Sequence, residues 1–424
     1  MGTERNTDGA VGRFAVIAVD RHGRLREDDE VLAAVVRELA DERRPVTDVV
    51  VLSHGWQTDA AAATATYEAW VRTMADHLEV RADESDRRRP GLRLLVVGVH
   101  WPSAPWEDPD SLGSLTRRVA AHAELIGDPA AARELEPLLA EGDPEALDPA
   151  DEARLRTLDE LSGLSKGLVG AAPGDDRGDF SPRRIFADFR RSAWYGTVGA
   201  APIRPLLAPL WVTSFWKMKR RAWHVGRTGV HRLLTVLRAA EPSGRVRFHL
   251  VGHSFGAIVC AGAIQGERPD SAVPVDSLTL LQGALSLWAF APSIPDTGRH
   301  GFFHPLVAHD LVRGPVVATQ SRHDRALAWF FRMAATASAD NRLRPRTPRY
   351  GAVGTYGLAG LERTERDVVR KGRLQYAFEP GTRYNLDCSQ VIAHPGFSVQ
   401  GAHSNLIHAE LAAVVWEAIL PTGG

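Results

Sequence analysis

Apolar runs of strand length alternate with helical patterns along most of the chain. Residues 14–19 read as a strand and 30–39 as a helix; 46–52 reads as a buried strand that ends on Ser53-His54-Gly55-Trp56, followed by a helix over 60–78 and a strand over 92–99. Buried parallel strands read as continuous apolar runs, and each parallel crossover needs a helix, so this order predicts an α/β protein with a mostly parallel, doubly wound sheet. The rhythm fails between 101 and 191, where Pro, Asp, Glu and Ala-rich pieces predict small helices and loops outside the sheet. It resumes at Met218, Ala222, Val225, Leu233 and Val236 or Leu237, spaced for one helix face. Strands over 246–251, 278–281, 316–319 and 384–386 follow, with helices over 257–264 and 325–333 and a closing amphipathic helix over 406–419. The expected organisation is one decorated domain: the first part of the core in 1–103, a helical insertion over 104–215 serving as cap or lid, and the rest of the core in 216–424.

Composition narrows the picture only a little. A chain of 424 residues with 44% hydrophobic content can bury a substantial core. The 51 Lys and Arg nearly cancel 52 Asp and Glu, so no overall field favours nucleic acid or an acidic membrane as an obligatory partner. Two cysteines, Cys260 and Cys388, form no disulfide framework or C-x-x-C pair. Residues 1–12 contain no apolar stretch of signal-peptide length, and Asn6 does not fit a myristoylation pattern. The expectation is a cytoplasmic protein.

The chemistry concentrates at Gly252-His253-Ser254-Phe255-Gly256. A serine hydroxyl is a weak nucleophile, so an enzyme must expose it, hand its proton to a base and stabilise the oxyanion that forms. Glycines two positions either side of Ser254 let a strand reverse sharply into a helix, whose first amides, Phe255 among them, point at the developing charge. The five letters alone also suit a structural turn. An apolar strand before them and an apolar helix after them favour the catalytic reading.

In that setting Gly252 to Gly256 resembles the nucleophile elbow of the α/β-hydrolase superfamily, and His54-Gly55-Trp56 is similar to that family's oxyanion-loop His-Gly pair. The resemblance covers residues 45–103 and 215–420 and omits the insertion. It implies the chain order Ser, acid, His. Asp324, leaving the strand 316–319, fills the acid position, with Asp387 as its rival and a helix N-cap as its structural alternative. His403, in the loop before the closing helix, fills the base position ahead of His394 and of His408, the latter expected inside the helix. The fold implies two oxyanion amides, those of Trp56 and Phe255. His54 is expected to brace its loop, His253 to shape the elbow and His249 to be a hydrogen-bonded core histidine. The scatter of His300, His304, His309 and His323 has no metal-ligand spacing, so neither a metal nor another cofactor is expected.

Residues 192–216 carry a single charge, Arg204, together with Pro202, Pro205 and Pro209, and leave three readings open. They could be a buried cap, an interfacial lid or a membrane span, although the prolines would interrupt a helix. Lys217, Lys219, Arg220 and Arg221 could meet lipid headgroups, so peripheral membrane contact through 192–221 belongs to the same set. Trp288, Phe290, Phe302 and Phe303 could line an acyl site or cover the core edge. The expected function is hydrolysis of a carboxylic ester or thioester of small or lipid-like substrates through an acyl-enzyme. The other class kept open is a non-catalytic binding or scaffold protein on the same fold.

Overall fold

The structure is a computed structural model describing residues 4–6, 11–26, 29–104, 114–140, 142–143, 145–191, 205–334, 342–344, 347–393 and 402–420. His394 and residues 192–204 therefore lie outside the described residues. Strands β1 (Glu4–Asn6), β2 (Val11–Ala18), β3 (Asp48–Ser53), β4 (Leu94–His100), β5 (Arg247–His253), β6 (Ser277–Leu281) and β7 (Val316–Gln320) belong to the main sheet. A small hairpin, β8 (Arg342–Arg344) and β9 (Thr347–Pro348), stands apart, and β10 (Thr364–Val368) with β11 (Arg383–Asp387) completes the main sheet. Its nine strands run in the order β1-β2-β4-β3-β5-β6-β7-β11-β10; every neighbouring pair is parallel except β1 with β2.

Alternate side chains of each strand feed two cores, as the two-residue period of a strand demands. In β3, Val49 and Val51 join the apolar cluster that also holds Phe215, Ala222 and Ile258, whereas Val50 and Leu52 join the one that holds Tyr67, Trp70 and Trp416. Helix α1 (Glu30–Leu39) lies on the first face and α2 (Ala60–Val80) on the second. Short α3 (Ala82–Arg88) follows α2. The strand-poor region holds α4 (Leu115–Ile126), α5 (Ala131–Ala140), α6 (Pro149–Leu161) and α7 (Pro182–Arg191). Ile126, Leu135, Leu138, Leu155 and Leu158 make a third apolar cluster there, joined by Leu206, from the turn before α8 (Ala208–Val225), and by Leu210 of α8 itself.

Helix α8 buries Val212, Phe215, Trp216, Met218 and Ala222 in the first core. Pro205 opens a single 3-10 turn and Pro209 falls in the first turn of α8, where a missing N–H leaves no helical bond unmade. None of the described helices is long and apolar enough to cross a membrane. A π-helical turn, Gly226–Val230, carries α8 into α9 (His231–Ala240), so Leu233 and Leu237 stay on the buried face. The cations of α8 have protein partners. Lys219 is fully buried, 2.5 Å from Asp176, with its ammonium 4.6 Å from the Trp216 ring and 4.4 Å from Phe331. Lys217 donates to Ser162 O at 3.0 Å, Arg220 to Gly163 O at 3.0 Å and Arg221 to Pro102 O at 3.5 Å.

The remaining helices are α10 (Gly256–Gln265) after β5, α11 (His304–Ala308), α12 (Arg325–Ala334) after β7, α13 (Val353–Tyr356) and α14 (Ala409–Ile419). The closing helix begins at Ala409, so His408 sits at its N-cap and bonds Asn405 Oδ1 through Nε2 at 3.0 Å; the expectation that it lies inside the helix is corrected. Trp288, Phe290 and Phe303 are buried in the first core, with Phe302 packed partly buried against it.

Candidate active site

The chain steps from β3 outward to β4 and then returns to the other side of β3 as β5. The loops leaving the C-terminal ends of β3 and β5 therefore diverge, which opens a crevice where open α/β sheets place their ligands. Ser53 to Thr58 leaves β3 there and the Ser254 turn leaves β5.

Ser254 adopts φ 55°, a left-handed conformation that costs a non-glycine residue about 1–3 kcal/mol and persists only where surroundings enforce it. They do. Ser254 N–H donates to Leu281 O at 3.0 Å and Ser254 O accepts from Ala284 N–H at 3.0 Å. A Cβ on Gly256 would lie 2.0 Å from Ser53 O, and one on Gly252 2.4 Å from Gly256 O, so the turn has no room for side chains at either glycine. Gly55 is equally confined: a Cβ there would sit 2.8 Å from Ser254 Cβ.

Residues distant in sequence meet at this turn. His403 Nε2 lies 2.8 Å from Ser254 Oγ, and His403 Nδ1 lies 2.7 Å from Asp324 Oδ2. All three side chains are buried, Asp324 completely. The tautomer that serves both contacts has Nδ1–H donating to the carboxylate and Nε2 accepting from the hydroxyl. Asp324 Oδ1 accepts from Leu327 N–H at 3.0 Å, so the carboxylate caps α12 while facing the imidazole. Asp387 does not join this group; its Oδ1 accepts from Ser389 N–H at 2.9 Å at the end of β11.

Three further side chains hold the group in place. Gln282, fully buried with φ 46°, donates Nε2–H to Asp324 Oδ2 and to Gly354 O, each at 3.0 Å. Thr319 Oγ1–H donates to Gln282 Oε1 at 3.1 Å, which orients that amide. His253 Nε2–H donates to His403 O at 3.1 Å, tying the His403 backbone to the turn. Burial, followed by the proximity of His403, pushes the His253 imidazole down to about 3. Sequence reasoning missed Gln282, although a polar residue directly after a buried strand, at the sheet's C-terminal edge, was a usable signal.

The β3 loop is braced just as firmly. His54 stacks on Trp101 with ring centroids 5.6 Å apart and rings 5° from parallel. Its Nδ1–H donates to Gly55 O at 2.9 Å, its Nε2 accepts from Trp101 N–H at 3.3 Å, and its backbone N–H donates to Tyr67 Oη at 2.7 Å. Burial pushes this imidazole down to about 3, so it is a neutral strut at ordinary pH. Gln57, at φ 58°, donates its N–H to Ser103 O at 3.2 Å; Thr58 N–H donates to Ser103 Oγ at 3.0 Å, and Ser103 Oγ–H returns a bond to Thr58 O at 3.0 Å. Trp56, between these braces, packs its ring against Trp211, Phe215, Phe255 and Phe330. Among the described residues, neither the Trp56 nor the Phe255 backbone amide has a protein acceptor.

His249 bonds Ser277 Oγ through Nδ1 at 2.8 Å and Asp48 Oδ1 through Nε2 at 3.0 Å, fully buried within the sheet. Burial raises the Asp48 pKa, but His249 and Arg247 outweigh it and hold the carboxyl well below the usual carboxylate range. Among the described residues, no group of three or more His, Cys, Asp or Glu is placed to hold a metal ion. His300 Nδ1–H donates to Gly301 O and His304 Nδ1–H to Phe290 O, so these two rings are engaged locally.

The chain is a mixed α/β protein with one mostly parallel sheet flanked by helices and a Ser-His-Asp group at the sheet's C-terminal edge. No family model matches it, and no curated protein or solved structure does either.

Proposed function

We propose that this protein is a serine hydrolase of the α/β-hydrolase type that cleaves a carboxylic ester or thioester through an acyl-enzyme. The observation that carries the reading is the unbroken line from Ser254 Oγ through His403 to Asp324, with contacts of 2.8 and 2.7 Å. It is supported by the left-handed Ser254 between two glycines that admit no Cβ, and by the chain order Ser, Asp, His.

Ser254 Oγ attacks the carbonyl carbon while His403 Nε2 takes its proton; Asp324 stays ionised and stabilises the imidazolium. The carbonyl oxygen, now an oxyanion, lies between the Trp56 and Phe255 amides. Collapse of this intermediate breaks the bond to the alcohol or thiol, and His403 returns its proton to the leaving atom. Water then attacks the acyl-enzyme with His403 as base and releases the acid.

The test is hydrolysis of a panel of simple esters and thioesters by the wild type and by Ser254→Ala. Turnover that drops by about a millionfold in Ser254→Ala, with unchanged circular dichroism, is the expected outcome. Equal turnover in both proteins, or none in a well-folded wild type, overturns the reading.

A further inference from the structure

Beside the nucleophile, on the α2 and α14 side of the sheet, lies a cavity of about 170 Å³. Its floor is formed by Leu52, Val251 and Leu281, the ends of β3, β5 and β6, and Tyr67 and Trp70 of α2 form one wall. The opposite wall is the loop that follows His403, through Leu406 and Ile407. These apolar residues are buried apart from Ile407, which is 40% exposed at the mouth with the exposed Thr66 and Ser404.

We propose that this cavity receives the leaving-group half of the substrate, a short apolar alcohol or thiol of about six heavy atoms, a size set by comparison with a 150 Å³ cavity that admits benzene. The inference rests on the serine-hydrolase reading. Two relationships fix the half. First, the cavity and the nucleophile share a neighbour: Gly55 lines the cavity, and a Cβ on Gly55 would lie 3.3 Å from Ser254 Oγ.

Second, the leaving atom must come within hydrogen-bond reach of His403 Nε2 to receive its proton, so the departing group leaves along the side that carries His403. The cavity lies on that side. Ser404, Leu406 and Ile407 continue directly from His403, and His253, another lining residue, has its ring centroid 4.9 Å from that of His403.

The experiment measures how straight-chain alcohols from ethanol to decanol slow labelling of Ser254 by a fluorescent fluorophosphonate probe, in the wild type and in Thr66→Trp. Protection is expected to strengthen about fourfold per methylene and to level off near six carbons, since the cavity is then full. Thr66→Trp narrows the mouth and shifts the levelling to shorter alcohols, with protection in each protein measured against its own labelling rate without alcohol. Protection that keeps strengthening to decanol, that is absent, or that is the same in Thr66→Trp overturns the cavity assignment and leaves the hydrolase reading standing. No labelling of the folded wild type overturns both.

Discussion

Gln282 Nε2 and His403 Nδ1 converge on one oxygen, Asp324 Oδ2, at 3.0 and 2.7 Å. The amide therefore fixes the plane of the carboxylate that faces the His403 imidazole. Gln282→Ala is expected to lower kcat by about tenfold with KM little changed, because a carboxylate free to turn orients the imidazole less well. It should also cost about 1–3 kcal/mol of stability through the buried groups left unpaired. Steady-state kinetics and urea unfolding of the one variant check both effects; wild-type kcat with lowered stability would reduce Gln282 to a structural role.

Ser103 acts on the opposite side of the site, through the loop that carries Trp56. Its hydroxyl makes two bonds to the Thr58 backbone, both lost in Ser103→Ala, so that variant should weaken transition-state binding without weakening substrate binding. A fall in kcat of about tenfold, with KM nearly constant, is expected, smaller than the 10²–10³ lost when an oxyanion donor is removed outright. A rise in KM alone would contradict this role.

Gly55→Ala and Gly256→Ala separate activity from folding. The Gly256 substitution drives a Cβ to 2.0 Å from a backbone oxygen, which cannot yield cheaply, and should leave the protein insoluble or several kcal/mol less stable. Gly55→Ala meets Ser254 Cβ at 2.8 Å in a loop, so the fold should survive while kcat/KM falls by about a hundredfold. Solubility, thermal unfolding and turnover of the pair give the comparison.

Acid should destabilise the protein through His54 and His253. Both imidazoles are held at about 3 when folded, against about 6.5 in an unfolded chain. The unfolded state binds more protons throughout the window between these values. Stability is thus fully present above about pH 6.5 and is lost as pH falls toward 3, at up to about 1.4 kcal/mol per pH unit for each histidine. Urea unfolding at stepped pH should show this slope, and His54→Gln should make it shallower.

Lys219 and Asp176 are each driven toward neutrality by burial, which lowers the lysine and raises the aspartate. Lys219→Met leaves Asp176 buried without its cation and should cost about 3–5 kcal/mol, whereas adding Asp176→Asn should restore part of the loss. Unfolding free energies of the single and double variants check the coupling.

Much of this architecture is legible in the order of residues because burial writes it there. The runs at 49–52 and 316–318 are apolar on both faces, and the corresponding strands are β3 and β7. The edge strand β10 escaped notice because Thr364-Glu365-Arg366-Asp367-Val368 carries no apolar pattern; exposure on an outer edge removes the need for one. Asp324 and His403 could be nominated from their loops, but their meeting across 79 positions is a property of the packed sheet. Gln282 could have been picked out only as a polar residue directly after a buried strand, and Ser103 not at all, since their contacts depend on backbone conformation and on loops distant in sequence. The apolar stretch of 192–216 left its placement open from composition; residues 205–216 begin a helix buried by partners from three other parts of the chain, among them Phe330, Trp56 and Leu138.

The most direct test of the central claim is intact-mass analysis of the protein after treatment with a fluorophosphonate probe, followed by peptide mapping. One adduct per chain, located on Ser254, slowed strongly in His403→Ala and absent in Ser254→Ala, is the predicted result. A folded wild type that takes up no adduct, or a Ser254→Ala variant that labels as fast as the wild type, would contradict it.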